Sequence, residues 1–153
     1  MPVALPDPPP GLGPEIRPEA LDEAAVARLA QGGPDLLRAC LLLWHDRLEA
    51  AHAIVQRQEG EQMADTIHAI MHRREPDEGN SCYWWARVGR HPLAAELGAE
   101  ARRLGLPVVC GADGGIDPKA MTRACCRASL PEDALRALQA CEIRLLASRL
   151  VAS

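Results

Sequence analysis

At 153 residues the chain is long enough for one domain that buries roughly 70% of its unfolded surface, so a core needs no disulfide or metal staple. Apolar residues make up 48% of it, mostly Ala and Leu with no Phe, a composition that favours helices over sheet. A formal net charge of -4 offers no global attraction to nucleic acid or to an anionic membrane, and no apolar run approaches the ~18–20 residues that span a bilayer.

The opening stretch, MPVALPDPPPGLGP, lacks the charged and apolar regions of a signal peptide, so the expected compartment is the cytoplasm. In that setting the six scattered Cys, with no C-x-x-C pair, read as free thiols or small core residues rather than a disulfide framework or a thiolate zinc site. Cys125 and Cys126 form the one vicinal pair, for which a redox role is the alternative.

Residues 1–18 hold seven Pro and no apolar periodicity, which predicts an extended or disordered arm ahead of a single helical domain over 19–153. A first helix is expected from Glu19 to about Ala30, with Leu21, Ala25, Val26 and Leu29 on one face and Gln31-Gly32-Gly33 ending it. Pro34 opens a helical pattern that runs to about Arg57. It is either one helix or a pair broken near Trp44-His45-Asp46, with Asp46 capping the second and Glu49 completing the cap.

After a turn at Gly60, helices are expected over Glu61 to Arg74, Ser81 to Val88 and His91 to Leu104, stopped in turn by Pro76, Gly89 and Gly105. Residues 107–115 read as loop. Asp117-Pro118 starts a helix to about Ala128, and Pro131 starts a last one through about Leu150. The fold class is therefore all-α, six or seven helices with no sheet. A weak echo between segments starting at Asp46 and Asn80, about 34 residues apart, suggests stacked helical hairpins of a loosely tetratricopeptide-like kind.

Chemistry concentrates in the run from His68 to Pro92, HAIMHRREPDEGNSCYWWARVGRHP, which holds three of the five His, the only Tyr and two of the three Trp. On a helix His68, His72 and Glu75 share a face with Asp65 beside them, a workable ligand set for zinc, iron or manganese, though the same face would also serve as plain solvent exposure. Reversal near Gly60 sets His52 level with His68 and His45 level with Glu75, so the candidate metal ligands are His45, His52, His68, His72 and Glu75. The pairs Glu49-x-x-His52 and Asp65-x-x-His68 loosely match the spacing used by di-iron helix bundles. Against this, His45 and His52 fall on the apolar stripe of Leu41 and Leu48, where a hydrogen-bonded core His is the simpler reading.

The second half of the run suggests a pocket for a small anionic ligand: Arg73, Arg74, Asp77, Asn80, Tyr83, Trp84, Arg87 and His91 combine guanidinium forks with flat aromatic walls. The competing view is that the charges neutralise one another while the rings fill the core. No P-loop, dinucleotide-binding, serine-hydrolase or zincin motif is present.

The same run, preceded by AHAIVQ around His52 and followed by the Asp117-Pro118 helix start, resembles a family of bacterial and fungal proteins with the pattern W-H-x-I-x-H-R-x-E-P-D-x-G-N-x-x-Y-W-x-R-x-V-G-x-H-P. The resemblance covers residues from about 35 to 150. This chain departs from the pattern at Ile67, where an aromatic is usual, and at Lys119 and Ala120, where a bulkier apolar pair is usual. The resemblance implies no activity. Function is thus an open choice between a helical domain binding a divalent metal or small anion, as an enzyme or otherwise, and a protein-interaction module in which the His and Arg cluster is structural.

Overall fold

Local chemistry starts the helices, at Pro118 where the sequence predicts but at Glu23 rather than Glu19 and at Glu78 rather than Ser81. Asp22 accepts a hydrogen bond from the Ala25 N–H, Asp77 from Asn80 and Asp117 from Lys119 and Ala120, so each carboxylate satisfies a backbone donor that the first helical turn leaves unpaired. The computed structural model describes residues 5–152. They form α1 (Glu23–Leu29), α2 (Asp35–Trp44), α3 (Leu48–Val55), α4 (Gln62–Arg74), α5 (Glu78–Val88), α6 (Ala94–Arg103), α7 (Pro118–Arg127) and α8 (Glu132–Ala152). Two 3-10 turns, Gln56–Gln58 and Pro107–Val109, and one isolated bridge between Cys110 and Ile116 complete the regular structure. The class is all-α as predicted, with eight α-helices among the described residues instead of six or seven.

The pattern after Pro34 is the broken pair of helices. Asp46 breaks it with φ of 64°, a left-handed conformation that Asp tolerates better than most side chains. It does not cap α3 as expected, because both its oxygens are taken by arginines: Arg17 Nε at 2.8 Å and Arg74 at 2.8 Å. The first helix is also shorter than predicted and buries only Val26, leaving Leu21 and Leu29 exposed.

Helix α4 is the centre of the molecule. Every residue from Ala64 to Arg74 is buried, and neighbours on all sides, α2, α3, α5 and α7, enclose it. Helices α2 to α5 pack each against the next in chain order, and α8 returns to lie against α2, α6 and α7. The interface of α4, α5 and α7 is stitched by hydroxyls: Ser81 donates to the Ala69 carbonyl at 2.8 Å, and Trp85 Nε1 donates to Thr122 Oγ1 at 2.8 Å. Among the described residues no helix is long and apolar enough to cross a membrane.

Over its described part the arm is extended and lies against the helices. Residues 5–18 carry no helix or strand, yet they lie along the bundle with their carbonyls held by side chains. Trp44 Nε1 donates to the Pro6 carbonyl at 3.1 Å, Arg136 to Pro9 at 2.8 Å, Gln139 to Gly11 at 2.9 Å and Arg74 Nε to Gly13 at 2.9 Å. The physical reason is one of matched needs. Proline has no N–H, so a Pro-rich segment asks only for donors, and arginine-rich helices supply them; its restricted backbone also loses less entropy on docking. Deleting residues 1–14 is therefore expected to strand Arg74 and Gln139, at about 1–3 kcal/mol each, and to lower the thermal midpoint by roughly 10 °C. Calorimetry of the truncated chain checks this, and an unchanged midpoint would show that the arm contributes nothing.

Candidate functional site: a histidine cluster beside a cleft

The chain reverses through Gln56–Gln58 and Gly60, whose φ of 96° suits glycine, and this lays α3 against α4. The result brings together three of the predicted ligands. Ring centres lie 4.8 Å apart for His52 and His68, 5.5 Å for His52 and His72, and 5.0 Å for His68 and His72. One potential ligand atom from each of the three falls within 4.8 Å of those from the other two.

His68 is the inner member of the cluster. It is only 2% exposed, its Nδ1 has no hydrogen-bond partner, and its face stacks on Trp84 with ring centres 3.9 Å apart and planes at 18°. Burial, reinforced by the neighbouring His52 and His72, pushes its pKa down to about 3. The ring is thus neutral at ordinary pH, with Nδ1 left unpartnered because the stacking uses only its face.

His72 is fixed from the other direction. Its Nδ1 donates to Glu75 Oε1 at 2.5 Å across one helical turn, which leaves Nε2 as the nitrogen with an available lone pair. Glu75 therefore acts on His72 rather than standing beside the three rings as an equal. Asp77 also approaches His72 and Glu75. Both its oxygens, however, are engaged with Asn80, through the backbone N–H at 3.1 Å and the side-chain amide at 2.8 Å.

Other predicted residues lie elsewhere. His45 sits in the break between α2 and α3, outside the group of three rings, and its Nδ1 accepts from the Leu21 N–H at 3.1 Å. Burial, followed by the positive charge of Arg17, lowers its pKa, and its Nε2 has no partner. Asp65 bonds to the backbone N–H of Gly60, so it braces the turn and does not join a carboxylate-histidine pair of the di-iron kind.

Arg73, Arg74 and His91 do not form a ligand pocket. Arg73 turns towards α8, where it donates to Glu142 at 2.7 Å and to Gln139 at 3.0 Å. Arg74 points the other way, to Asp46 and to the carbonyls of Leu43 and Gly13. His91 is sealed inside, with Nδ1 accepting from the Leu93 N–H and Nε2 donating to Glu142 at 2.9 Å. Their charges are already met inside the protein, and although Arg73 Nε has no hydrogen-bond partner it is fully buried, so none of the three is open to an incoming anion. Tyr83 and Arg87 lie outside on α5, with the guanidinium 5.3 Å from the Trp84 ring centre, and form an exposed shelf rather than a cavity.

Glu142 was not among the predicted site residues. A clue existed: it is the one carboxylate within a run of α8 that is otherwise apolar at the core positions Leu138, Ile143 and Leu146. Burial alone raises its pKa, but Arg73 and the hydrogen bond from His91 outweigh this and hold it down at about 2. The six Cys are all free, as predicted. Burial pushes the Cys126 thiol up to about 11 and raises Cys125 as well, which removes the thiolate character a redox pair needs.

Beside His52 a cleft of about 640 Å³ opens between the arm, the start of α1, α3 and the end of α4. His52, Met71 and Glu75 form one wall, and Pro14 and Ile16 of the arm another. The half-buried His52 is therefore the member of the cluster that meets this space.

Two outcomes follow from this arrangement. Glu142→Gln leaves Arg73 buried without its counter-charge and is expected to cost about 3–5 kcal/mol by urea unfolding. For His68, the folded pKa lies below the unfolded one, so the unfolded chain binds more protons between about pH 6.5 and 3. Stability is complete above pH 6.5 and falls on acidification. His68→Phe keeps the ring stacked on Trp84 and is expected to flatten the fall between pH 7 and 5, before carboxylates titrate; an identical slope in the two proteins would contradict the assignment. No family model matches the chain, and no curated protein or solved structure matches it.

Proposed function

We propose that this domain binds a divalent transition metal, zinc by its donor chemistry, through His52, His68 and His72. The observation that carries the reading is the buried, unpartnered and neutral imidazole of His68 at the centre of three converging rings. Buried polar atoms without a partner are rare, and a metal is one of the few ways to use this one. Three imidazoles on one tetrahedral ion, with bonds of ~2.0–2.1 Å, put their ring centres about 5 Å apart, as these are.

Capture requires a small rearrangement. Ligand nitrogens on one tetrahedral zinc lie roughly 3.3 Å apart, so atoms now within 4.8 Å draw in by at most about 1.5 Å. The planes of His68 and His72 also differ by only 23°, so one ring turns before both aim at a point. Trp84 holds His68, and the turn falls to His72. Glu75 has the role of the carboxylate that orients a ligating His and raises its basicity through the far ring nitrogen.

On this reading the H-x-x-x-H-R-x-E-P-D run that carries the family resemblance divides its labour. His68 and His72 are ligands, Arg73 ties α4 to α8, Glu75 orients His72 and Asp77 starts the next helix. His52, His68 and His72 would hold the ion, and zinc held by three imidazoles would supply Lewis acidity suited to hydrolysis beside the cleft that His52 lines. A cytoplasmic setting belongs to the same reading, since all six thiols are free.

Calorimetric titration with Zn²⁺, and with Co²⁺ followed by its tetrahedral absorption bands, tests this. One ion per chain is expected, lost in His52→Ala and His68→Ala, kept in His45→Ala and weakened about 10–100-fold in Glu75→Gln. Absence of binding by the wild-type chain, or equal binding after His68→Ala, would overturn it.

A further inference from the structure

The charges around the cleft are unevenly committed. Asp46 at its edge is spent on Arg17 and Arg74, and Glu75 is spent on His72. Two carboxylates remain. Glu23, in the first turn of α1, and Glu49, in the first turn of α3, line the same space, and among the described residues neither has an ion-pair or hydrogen-bond partner. The helix dipole accounts for a carboxylate at either position, but not for both facing one cavity. Opposing them is Arg47, whose Nε is already donated to the Leu21 carbonyl.

Apolar surface lies between these charges. Ile16 of the arm, 56% exposed, borders the cavity, Met71 of α4 lines it with only 2% of its surface exposed, and His52 lines it as well. A space of about 640 Å³ suits a small organic molecule, and its two uncommitted carboxylates outnumber its one cation, Arg47.

We propose that the cleft binds a small organic amine in its ammonium form, with Glu23 and Glu49 as anchors for the charge and Ile16 and Met71 as the bed for an apolar body. This deepens the metal reading and rests on it only in placing the far end of the ligand at His52. The anchoring itself needs no metal.

The probes are L-leucinamide, which carries the ammonium group, and N-acetyl-L-leucinamide, which lacks it. Binding to the full chain is followed at pH 7 through the NMR methyl signals of Ile16 and Met71. Leucinamide is expected to shift these signals and saturate, while the acetylated probe binds at least tenfold more weakly. The doubly substituted Glu23→Gln, Glu49→Gln chain is expected to lose at least tenfold in leucinamide affinity and to keep its zinc affinity. Both sites are exposed, so the fold should be retained, and circular dichroism verifies this. Equal affinity for the two probes, undiminished leucinamide binding by the double variant, or shifts confined to residues outside the cleft would each overturn the proposal. Leucinamide binding that persists in a His68→Ala chain unable to hold zinc upholds it. The metal reading fails separately, by absence of zinc binding in the wild-type chain.

Discussion

Two consecutive guanidinium groups with no exposure, Arg73 and Arg74 on α4, set the arrangement of everything around them. Neighbouring helical residues diverge by about 100°, so one cation reaches α8 and the other reaches the α2–α3 break and the arm. Each then requires an anion at a specific place. Glu142 answers from α8, and Asp46 answers from a left-handed turn that interrupts what would otherwise be one long helix. Paired in this way the charges contribute little net stability over an apolar core, but any packing that separates them leaves a buried ion unpaired. The network acts chiefly as a specification of which helices meet.

The histidine cluster is a by-product of the same enclosure. Because α4 is surrounded, His68 and His72 face protein on sides where an isolated helix would face water, and α3 brings His52 to the remaining opening. Trp84 packs on the face of His68 and blocks motion without occupying a nitrogen. Burial keeps that ring neutral, and Glu75 fixes the orientation of His72. A scaffold held by arginine pairs thus supports a buried, neutral His68 whose Nδ1 is unspent, beside a cleft whose outer wall is the docked arm.

Which parts were legible follows from which forces are local. Helix starts at Asp117-Pro118, the stop at Gly89 and the reversal at Gly60 depend on residues within a turn of one another, and they are where the pattern places them. The meeting of His52 with His68 was also readable, since a short reversal fixes the register of two antiparallel helices. Arg73, Arg74 and His91 were read as available to a ligand because charged side chains are ordinarily solvated, and nothing within ten residues reveals Asp46 or Glu142 as their partners.

By itself the sequence determined the helical class, most of the helix boundaries and the concentration of chemistry between His45 and His91, because propensity, capping and periodicity act over a few residues. Only the tertiary structure decided that α4 is central, that the proline-rich arm is docked, that His45 stands apart and that the arginines are structural. Those outcomes depend on contacts separated by as many as 69 residues for the Arg73–Glu142 pair and 128 for Gln139 with Gly11. Burial and charge compensation arise from the whole packed chain, and no short stretch of sequence carries them.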